Sequence, residues 1–233
     1  MSNYTVTHIH TMYSNGTTNI DSVTNYSEYI KRAKELGMKA IAFTEHGNIF
    51  NWYKKKVECE TNGIKYIHAT EMYITENKDN KIRDNYHCCL YAKNYDGFLE
   101  LNNLMSNASN REDGHFYYTP RITFEELVNT SNNILVTTAC LGGILNKAKE
   151  NKELYDRYVS FLKENKDRCF LEVQHHNVLD QIEYNKELYI LSKETGVRLI
   201  AGTDTHALND THVKYMMMYQ LKLKMKIFHL NMK

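Results

Sequence analysis

The sequence predicts an α/β fold in which strands and helices alternate. Three observations support this class: short apolar runs recur along the chain, polar residues follow each run, and a helical pattern of apolar residues comes next. Strands that alternate with helices favour a parallel sheet, either closed as a barrel or open and doubly wound. Periodicity leaves both architectures open, and the 233 residues suit one large domain or two small ones.

The strands are predicted from apolar runs that polar residues or glycine interrupt. They cover residues 4–10, 39–48, 64–75, 86–94, 133–143, 169–176 and 197–206. The second of these runs is nearly all apolar, which indicates a strand buried on both faces.

The helices are predicted from the 3.6-residue spacing of apolar positions. They cover residues 25–37, 52–63, 97–109, 123–129, 153–165 and 182–196. Asn25 with Glu28 resembles a capping box at the start of the first helix, and Gly37 is a plausible stop. The methionine-rich segment 213–233 is left as an unassigned C-terminal tail, either a helix face or a frayed end.

Composition excludes several classes of protein. The net charge of +1 gives no global basic field of the kind that marks nucleic-acid binders, although a local basic patch stays open. The N-terminus lacks a signal peptide pattern, and no apolar stretch is long enough to span a bilayer, so we expect a cytoplasmic protein without a membrane partner. The five cysteines are odd in number and irregularly spaced, which argues against a disulfide framework.

Residue types that bind metals concentrate near the ends of the predicted strands. They are His8, His10, Glu45, His46, Glu71, His87, Cys140, His175, His176, Asp204 and His206. His8 and His10 are two residues apart and therefore share one face of a strand. Parallel strands bring their carboxyl ends to one side of the domain, so these side chains predict a metal cluster there. Carboxylates among imidazoles suit Zn²⁺, Mn²⁺ or Fe²⁺.

The cluster has an alternative interpretation at some positions. A histidine pair on a strand also occurs as a hydrogen-bonded structural feature, and His87 fits less well because it opens its run. Cys140 could equally be a small buried apolar residue.

The motifs that carry these residues resemble those of PHP domains (polymerase and histidinol phosphatase). They read "HIHTMYS", "TEHGN", "EMY", "YHCCLYAKN", "FYYTPRI", "ACLGG" and "DTH". They are most similar to the PHP domain that begins the alpha subunit of bacterial DNA polymerase III. The resemblance runs over residues 6–212, which we take as one PHP phosphoesterase-like domain over 1–212. It implies a distorted (β/α)7 barrel, similar to a TIM barrel, with two to three divalent ions.

The resemblance also implies a set of ligands. They are His8, His10, His46, Glu71, His87, Cys140, Asp204 and His206. One grouping gives the first ion His8, His10, Glu71 and Asp204, the second His46 and His206, and the third Glu71, His87 and Cys140. Zinc or manganese is expected, and iron also suits the set.

Four positions around this set carry further expectations. Asn15 stands where the family has an aspartate, which predicts a loosely held second ion or use of the amide oxygen. Glu45 replaces a common aspartate and is expected to support His46. His176 could also support the site or be structural. Arg121 is a candidate phosphate contact, with an exposed surface arginine as the alternative.

The resemblance implies a metal-dependent phosphoesterase, with 3′–5′ exonuclease activity on DNA through a metal-bound hydroxide as the leading hypothesis. The alternatives are a non-catalytic scaffold domain from a truncated polymerase and a small-molecule phosphatase of the histidinol phosphatase type. The expected partners are a phosphate ester, single-stranded DNA, and polymerase or replication proteins. We identify no polymerase catalytic motif, so a complete polymerase is not expected.

Overall fold

The computed structural model describes residues 4–16, 19–79 and 81–231, with side chains to residue 223. Its strands are Ala40–Ala42 (β1), Lys65–Ile67 (β2), Ala69–Thr75 (β3), Tyr86–Ala92 (β4), Arg121–Thr123 (β5), Ile134–Thr137 (β6), Cys169–Gln174 (β7) and Arg198–Gly202 (β8). Its helices are Tyr26–Glu35 (α1), Trp52–Thr61 (α2), Tyr95–Ala108 (α3), Phe124–Val128 (α4), Ile144–Lys147 (α5), Lys152–Glu164 (α6), Leu179–Thr195 (α7) and Asp210–Asn231 (α8).

The strands close into a barrel, which decides between the two architectures. One sheet has the order β5-β3-β4-β6-β7-β8, and β1 pairs with β2. Bridges between Val6 and Ile41, between Ile9 and Thr205, and between His46 and Glu71 join these pieces. Around the barrel, the order is therefore the N-terminal segment, β1, β2 together with β3, β4, β6, β7 and β8. The bridge between Ile9 and Thr205 closes the barrel after β8. This arrangement confirms the predicted α/β class and its distorted seven-stranded barrel.

The expectation of an all-parallel sheet was wrong at β4, which runs antiparallel to β3 and β6. The described residues between β3 and β4 form no helix, so the chain turns back directly. The reversal also explains His87, which opens its strand. Because β4 runs the other way, its first residues lie at the same end of the barrel as the carboxyl ends of the other strands.

Other boundaries differ in smaller ways. The predicted first strand forms only isolated bridges at Val6 and Ile9. The predicted strand over 64–75 is divided at His68 into β2 and β3, and β5 and α5 were not predicted. Residues 213–231 belong to α8, so the expected domain boundary at 212 falls within a helix. Within the described part of the chain, no helix is long and apolar enough to cross a membrane.

Local signals in the sequence account for the first helix. The Asn25 side chain accepts a hydrogen bond from the Ser27 amide at 3.0 Å, and Glu28 accepts one from the Asn25 amide at 3.1 Å. This capping box satisfies amides that have no partner within the helix. The helix ends at Glu35, and Gly37, two residues later, has a φ of 72° that is unfavourable for residues with a side chain.

Two of the three apolar clusters among the described residues pack helices against the barrel strands. The larger one packs α3, α4, α6 and α7 against the six-stranded sheet and includes Leu90, Val136 and Leu171, all fully buried. The smaller one packs α1 and α2 against β1. Together they fix the strand ends from which the polar cluster projects.

Candidate metal centre

All eight side chains expected as ligands lie together at one end of the barrel. The N-terminal segment supplies His8 and His10, and the segment after β1 supplies His46. Glu71 lies within β3, His87 within β4, and Cys140 follows β6. Asp204 and His206 follow β8, which the Ile9–Thr205 bridge holds beside the N-terminal segment.

Glu71 occupies the centre of the cluster and is fully buried. Its Oε1 lies 3.3 Å from His8 Nε2 and 3.0 Å from His87 Nδ1, and its Oε2 lies 2.5 Å from His46 Nδ1. Burial opposes ionisation of this carboxyl group, but His87, His46 and His8 hold its pKa well below the ordinary value. Glu71 is therefore an anion that can serve more than one cation.

The two histidines of the first motif turn the same nitrogen toward each other. His8 Nε2 and His10 Nε2 are 3.1 Å apart, and Asp204 Oδ1 lies 3.3 Å from the first and 3.2 Å from the second. The Nδ1 atom of each ring is hydrogen-bonded to another side chain: Glu172 binds His8, and Ser14 binds His10. Two imidazole nitrogens and a carboxylate thus face one point, where a cation would stabilise them.

The pKa values of His8 and His10 shift in opposite directions because the two rings have different surroundings. Burial and then the charge of His46 lower the pKa of His10 to about 4. Burial also disfavours charge on His8, but Cys89, Glu172 and Asp204 outweigh it and raise its pKa well above the ordinary value. One proton between the two rings is what a divalent ion would replace.

The donor atoms therefore fit divalent metal ions. Among the described residues, Glu71 Oε2, His46 Nδ1 and His206 Nδ1 are buried and lack a hydrogen-bond partner of suitable geometry. Four groups of close ligand atoms occur among the described residues: His8, His10 and Asp204; His10, His46 and His206; His46, Glu71 and His87; and His8, Cys89 and Glu172. Histidine nitrogens with carboxylate oxygens suit zinc, manganese or iron.

Asp21 belongs to the cluster, and sequence reasoning missed it. Its Oδ2 lies 2.5 Å from His46 Nε2 and 3.5 Å from His206 Nδ1. Asn15, expected as a weak ligand in its place, instead shapes the loop. The Asn15 Oδ1 atom accepts hydrogen bonds from the Asp21 and Ser22 amides at 2.6 and 2.8 Å. The available signal was the first carboxylate after the motif, six residues beyond Asn15.

Glu45 supports His10 rather than His46, contrary to expectation. Its Oε2 accepts a 2.6 Å hydrogen bond from the Ser14 hydroxyl, which lies 3.0 Å from His10 Nδ1. Because the Ser14 proton goes to Glu45, the Ser14 oxygen accepts from His10. The Lys55 ammonium, 2.6 Å from Glu45 Oε1, compensates the buried charge. Burial raises the pKa of Glu45, but Lys55 outweighs that effect and lowers it.

Glu172 is a second carboxylate that sequence reasoning missed. It lies in β7, fully buried, with Oε1 2.6 Å from His8 Nδ1. Thr137 donates a 2.6 Å hydrogen bond to Oε2, and Gln174 donates one of 3.0 Å to Oε1. The available signal was a glutamate inside a largely apolar buried strand, which the neighbouring histidine pair obscured.

The hydrogen bonds of Arg121 and His176 show what these two side chains bind. Arg121 is fully buried, and its guanidinium donates to the carbonyl oxygens of His115, Ile82 and Gly114, so it holds two loops together rather than a phosphate. His176 Nε2 donates a 2.9 Å hydrogen bond to the Thr203 carbonyl oxygen. A carbonyl can only accept, which makes this histidine a structural donor.

Cys140 lies beside the cluster. Its Sγ is 3.5 Å from His87 Nδ1 and 3.8 Å from Glu71 Oε1, and burial raises its pKa well above the ordinary value. A side chain at Gly142 would place Cβ 2.8 Å from His87 Nδ1, which explains a glycine in "ACLGG".

Asp204 has a φ of 44°, a strained conformation that functional sites often retain.

The fold and the cluster define a class of protein: α/β barrels that carry a histidine and carboxylate metal centre at one end. Residues 7–176 match the family model described as PHP domain, and the chain belongs to that family. Asp204 and His206 lie beyond the matched range. The closure of the barrel brings them into the cluster.

Relatives place the chain beside one group within the family. The DNA polymerase III subunit alpha of Helicobacter pylori is 34% identical over 220 residues, covering 87% of this chain and 18% of that protein. The corresponding subunit of Aquifex aeolicus is 31% identical over 242 residues, covering 96% and 20%. The chain thus spans about a fifth of the length of these relatives.

Solved structures support the fold. A Bifidobacterium adolescentis protein described as a metal-dependent phosphoesterase aligns with a TM-score of 0.54 at 15% identity, covering 87% of both chains. An amidohydrolase from Chromobacterium violaceum aligns with a TM-score of 0.54 at 16% identity, covering 90% of this chain and 89% of that one.

Proposed function

We propose that this chain is a metal-dependent phosphoesterase that hydrolyses phosphodiester bonds at the 3′ end of single-stranded DNA. The observation that carries the proposal is the convergence of His8 Nε2, His10 Nε2 and Asp204 Oδ1 around one point, with Glu71 beside them. Bound divalent ions would activate water and neutralise the charge on the phosphoryl oxygens. Zinc and manganese are the ions proposed, with two or three per chain.

The side chains of the cluster would hold up to three ions. His8, His10, Glu71 and Asp204 would hold one ion, and His46, His206 and Asp21 would hold another. His87 with Glu71 offers a third position, with Cys140 at its edge. Shared carboxylates keep such ions close together, and close ions suit the binding of a single phosphate group.

The relationship to polymerase III alpha subunits favours a DNA substrate over a small phosphomonoester. The relatives are named as DNA polymerase subunits, and this name is the reason for proposing a DNA end as the substrate. Asn15, in place of the family's aspartate, would favour a scaffold without catalysis. The placement of Asp21 removes that reason, because the cluster keeps a carboxylate next to His46.

The test compares hydrolysis of three substrates by the untagged chain after removal and return of Zn²⁺ or Mn²⁺. The substrates are single-stranded DNA labelled at the 5′ end, the same strand blocked at its 3′ end, and a phosphomonoester. Asp204→Asn is the site variant, and Asp156→Asn, an exposed aspartate on α6, is the matched control.

Shortening of the free 3′ end by wild type and by Asp156→Asn, lost in Asp204→Asn, supports the proposal. Turnover of the phosphomonoester alone would favour the small-molecule phosphatase. Full metal binding with no hydrolysis of any substrate would favour the scaffold. Both of these results overturn the exonuclease proposal.

A further inference from the structure

Glu172 is a buried carboxylate that the ligand set does not use. Among the described residues, His8 is its only basic partner within 4 Å, and no lysine or arginine compensates it. An ionised group in such a place is costly unless it is well hydrogen-bonded. Glu172 meets that condition, because Thr137, Gln174 and His8 together occupy both of its oxygens.

The fold makes room for this carboxylate at one particular position. Gly202 on β8 lies opposite Gln174 on β7 in the sheet register. A Cβ atom at Gly202 would lie 2.0 Å from Glu172 Oε1, which is closer than two such atoms can approach. Only glycine there lets the carboxylate lie against the ring of His8.

The direction of the hydrogen bonds fixes the tautomer of His8. Thr137 and Gln174 donate to Glu172, so both carboxylate oxygens are acceptors. The 2.6 Å contact with His8 must then use a proton on Nδ1. With that proton held, Nε2 is the ring nitrogen that faces His10, Glu71 and Asp204. His10 is fixed in the same sense, but by the neutral Ser14 hydroxyl.

We infer that Glu172 is the positioning residue of the metal centre: it holds His8 with Nδ1 protonated and Nε2 directed at the metal, and Gly202 makes that contact sterically possible. A carboxylate behind a ligating histidine fixes the ring and strengthens it as a donor. The inference rests on the metal centre proposed above but concerns metal affinity and ring orientation, not the substrate.

The test measures the dissociation constant for Zn²⁺ by chelator competition in Glu172→Gln and in Gly202→Ala. Loss of such support typically weakens metal binding by roughly 10–100-fold, and that is the change expected for Glu172→Gln. Gly202→Ala keeps every polar group and displaces only the carboxylate, so it should weaken binding in the same direction. Glu183→Gln, an exposed glutamate on α7, is the matched control and should leave the constant unchanged.

A second readout separates positioning from general damage. The Nδ1 proton of His8 in the zinc-loaded protein should give a sheltered downfield NMR signal, absent or shifted upfield in both variants. Circular dichroism confirms that the variants fold. A zinc constant unchanged within about twofold in the folded variants, with the His8 signal retained, would overturn the inference.

The outcome is separable from that of the proposed function. Metal binding that depends on Glu172 without hydrolysis of any substrate refutes the phosphoesterase and leaves the positioning role intact. Hydrolysis that survives with an unchanged zinc constant in Glu172→Gln refutes the positioning role alone. A wild-type chain that binds no divalent ion refutes both.

Discussion

Asp21 Oδ2 lies 2.5 Å from His46 Nε2. His46 has Glu71 on its other nitrogen at 2.5 Å, so two carboxylates flank one ring. Burial disfavours charge on His46, but Asp21 and Glu71 outweigh it and raise its pKa to about 10. Asp21 therefore restores the negative charge that Asn15 cannot supply.

The first prediction concerns this replacement. In Asp21→Asn the His46 and His206 side of the cluster loses its own carboxylate, and we expect the most weakly held ion to bind roughly 10–100-fold more weakly. Asn15→Ala should act in the same direction with a smaller effect, because the loop that orients Asp21 loses its hydrogen bonds. Mass spectrometry of bound metal and titration with Mn²⁺ measure both.

The matched control is Asp79→Asn, since Asp79 is an exposed carboxylate outside the cluster. It should bind metal like wild type. If Asp21→Asn also matched wild type in metal content and affinity, the loop carboxylate would be an ion-pair partner of His46 and no ligand.

The sequence predicted what depends on local periodicity and missed what depends on tertiary approach. His8 and His10 followed from the period of a strand, and the Asn25 cap from its own side chain. His87 fitted poorly because the reversal of β4 is a property of the whole barrel. In the sequence, Glu172 is one residue of a buried strand. Its position beside Gly202 depends on the pairing of β7 with β8.

Arg121 also shows that contacts between distant segments cannot be predicted from a local motif. A charged residue within a recognisable motif suggests a ligand contact, and nothing local contradicts that interpretation. The carbonyl oxygens that it binds belong to residues 82 and 114–115, which come together only when the two loops fold. Burial of a guanidinium depends on those distant partners and could not be predicted from the segment itself.

The second prediction concerns the buried pair of Lys55 and Glu45, whose side chains are 2% and 1% exposed. Lys55→Met leaves Glu45 as an uncompensated buried charge, so we expect the free energy of unfolding to fall by about 3–5 kcal/mol. Adding Glu45→Gln should recover part of the loss, because the double variant buries no net charge. Urea unfolding in the presence of a chelator measures the protein without metal.

Lys56→Met is the control, because Lys56 is the adjacent residue and makes an exposed ion pair with Glu60. Such a surface pair contributes about 0–1 kcal/mol. Equal losses for Lys55→Met and Lys56→Met would show that the buried pair carries no special weight. A double variant as unstable as Lys55→Met would show that the loss came from packing around the aliphatic stem.

The third prediction concerns the pH dependence of folding and rests on His68, which lies outside the metal cluster. Burial, opposed in part by a hydrogen bond to Asn102, lowers the pKa of His68 to about 4. The unfolded chain, with an ordinary histidine pKa of about 6.5, binds a proton that the folded chain refuses. Stability is therefore fully present above pH 6.5 and falls as the pH drops toward 4.

Between pH 7.5 and pH 5 this single group should cost about 2 kcal/mol. The measurement is the difference in unfolding free energy between wild type and His68→Gln at both pH values, because other groups titrate in the same range and cancel in that difference. Gln retains a donor for Asn102 Oδ1, which lies 3.0 Å from His68 Nε2. His175→Gln, at an exposed histidine, should show no such change. If the difference between wild type and His68→Gln stayed constant from pH 7.5 to 5, His68 would take up a proton in the folded state, and its burial between Trp52 and Phe98 would not exclude charge.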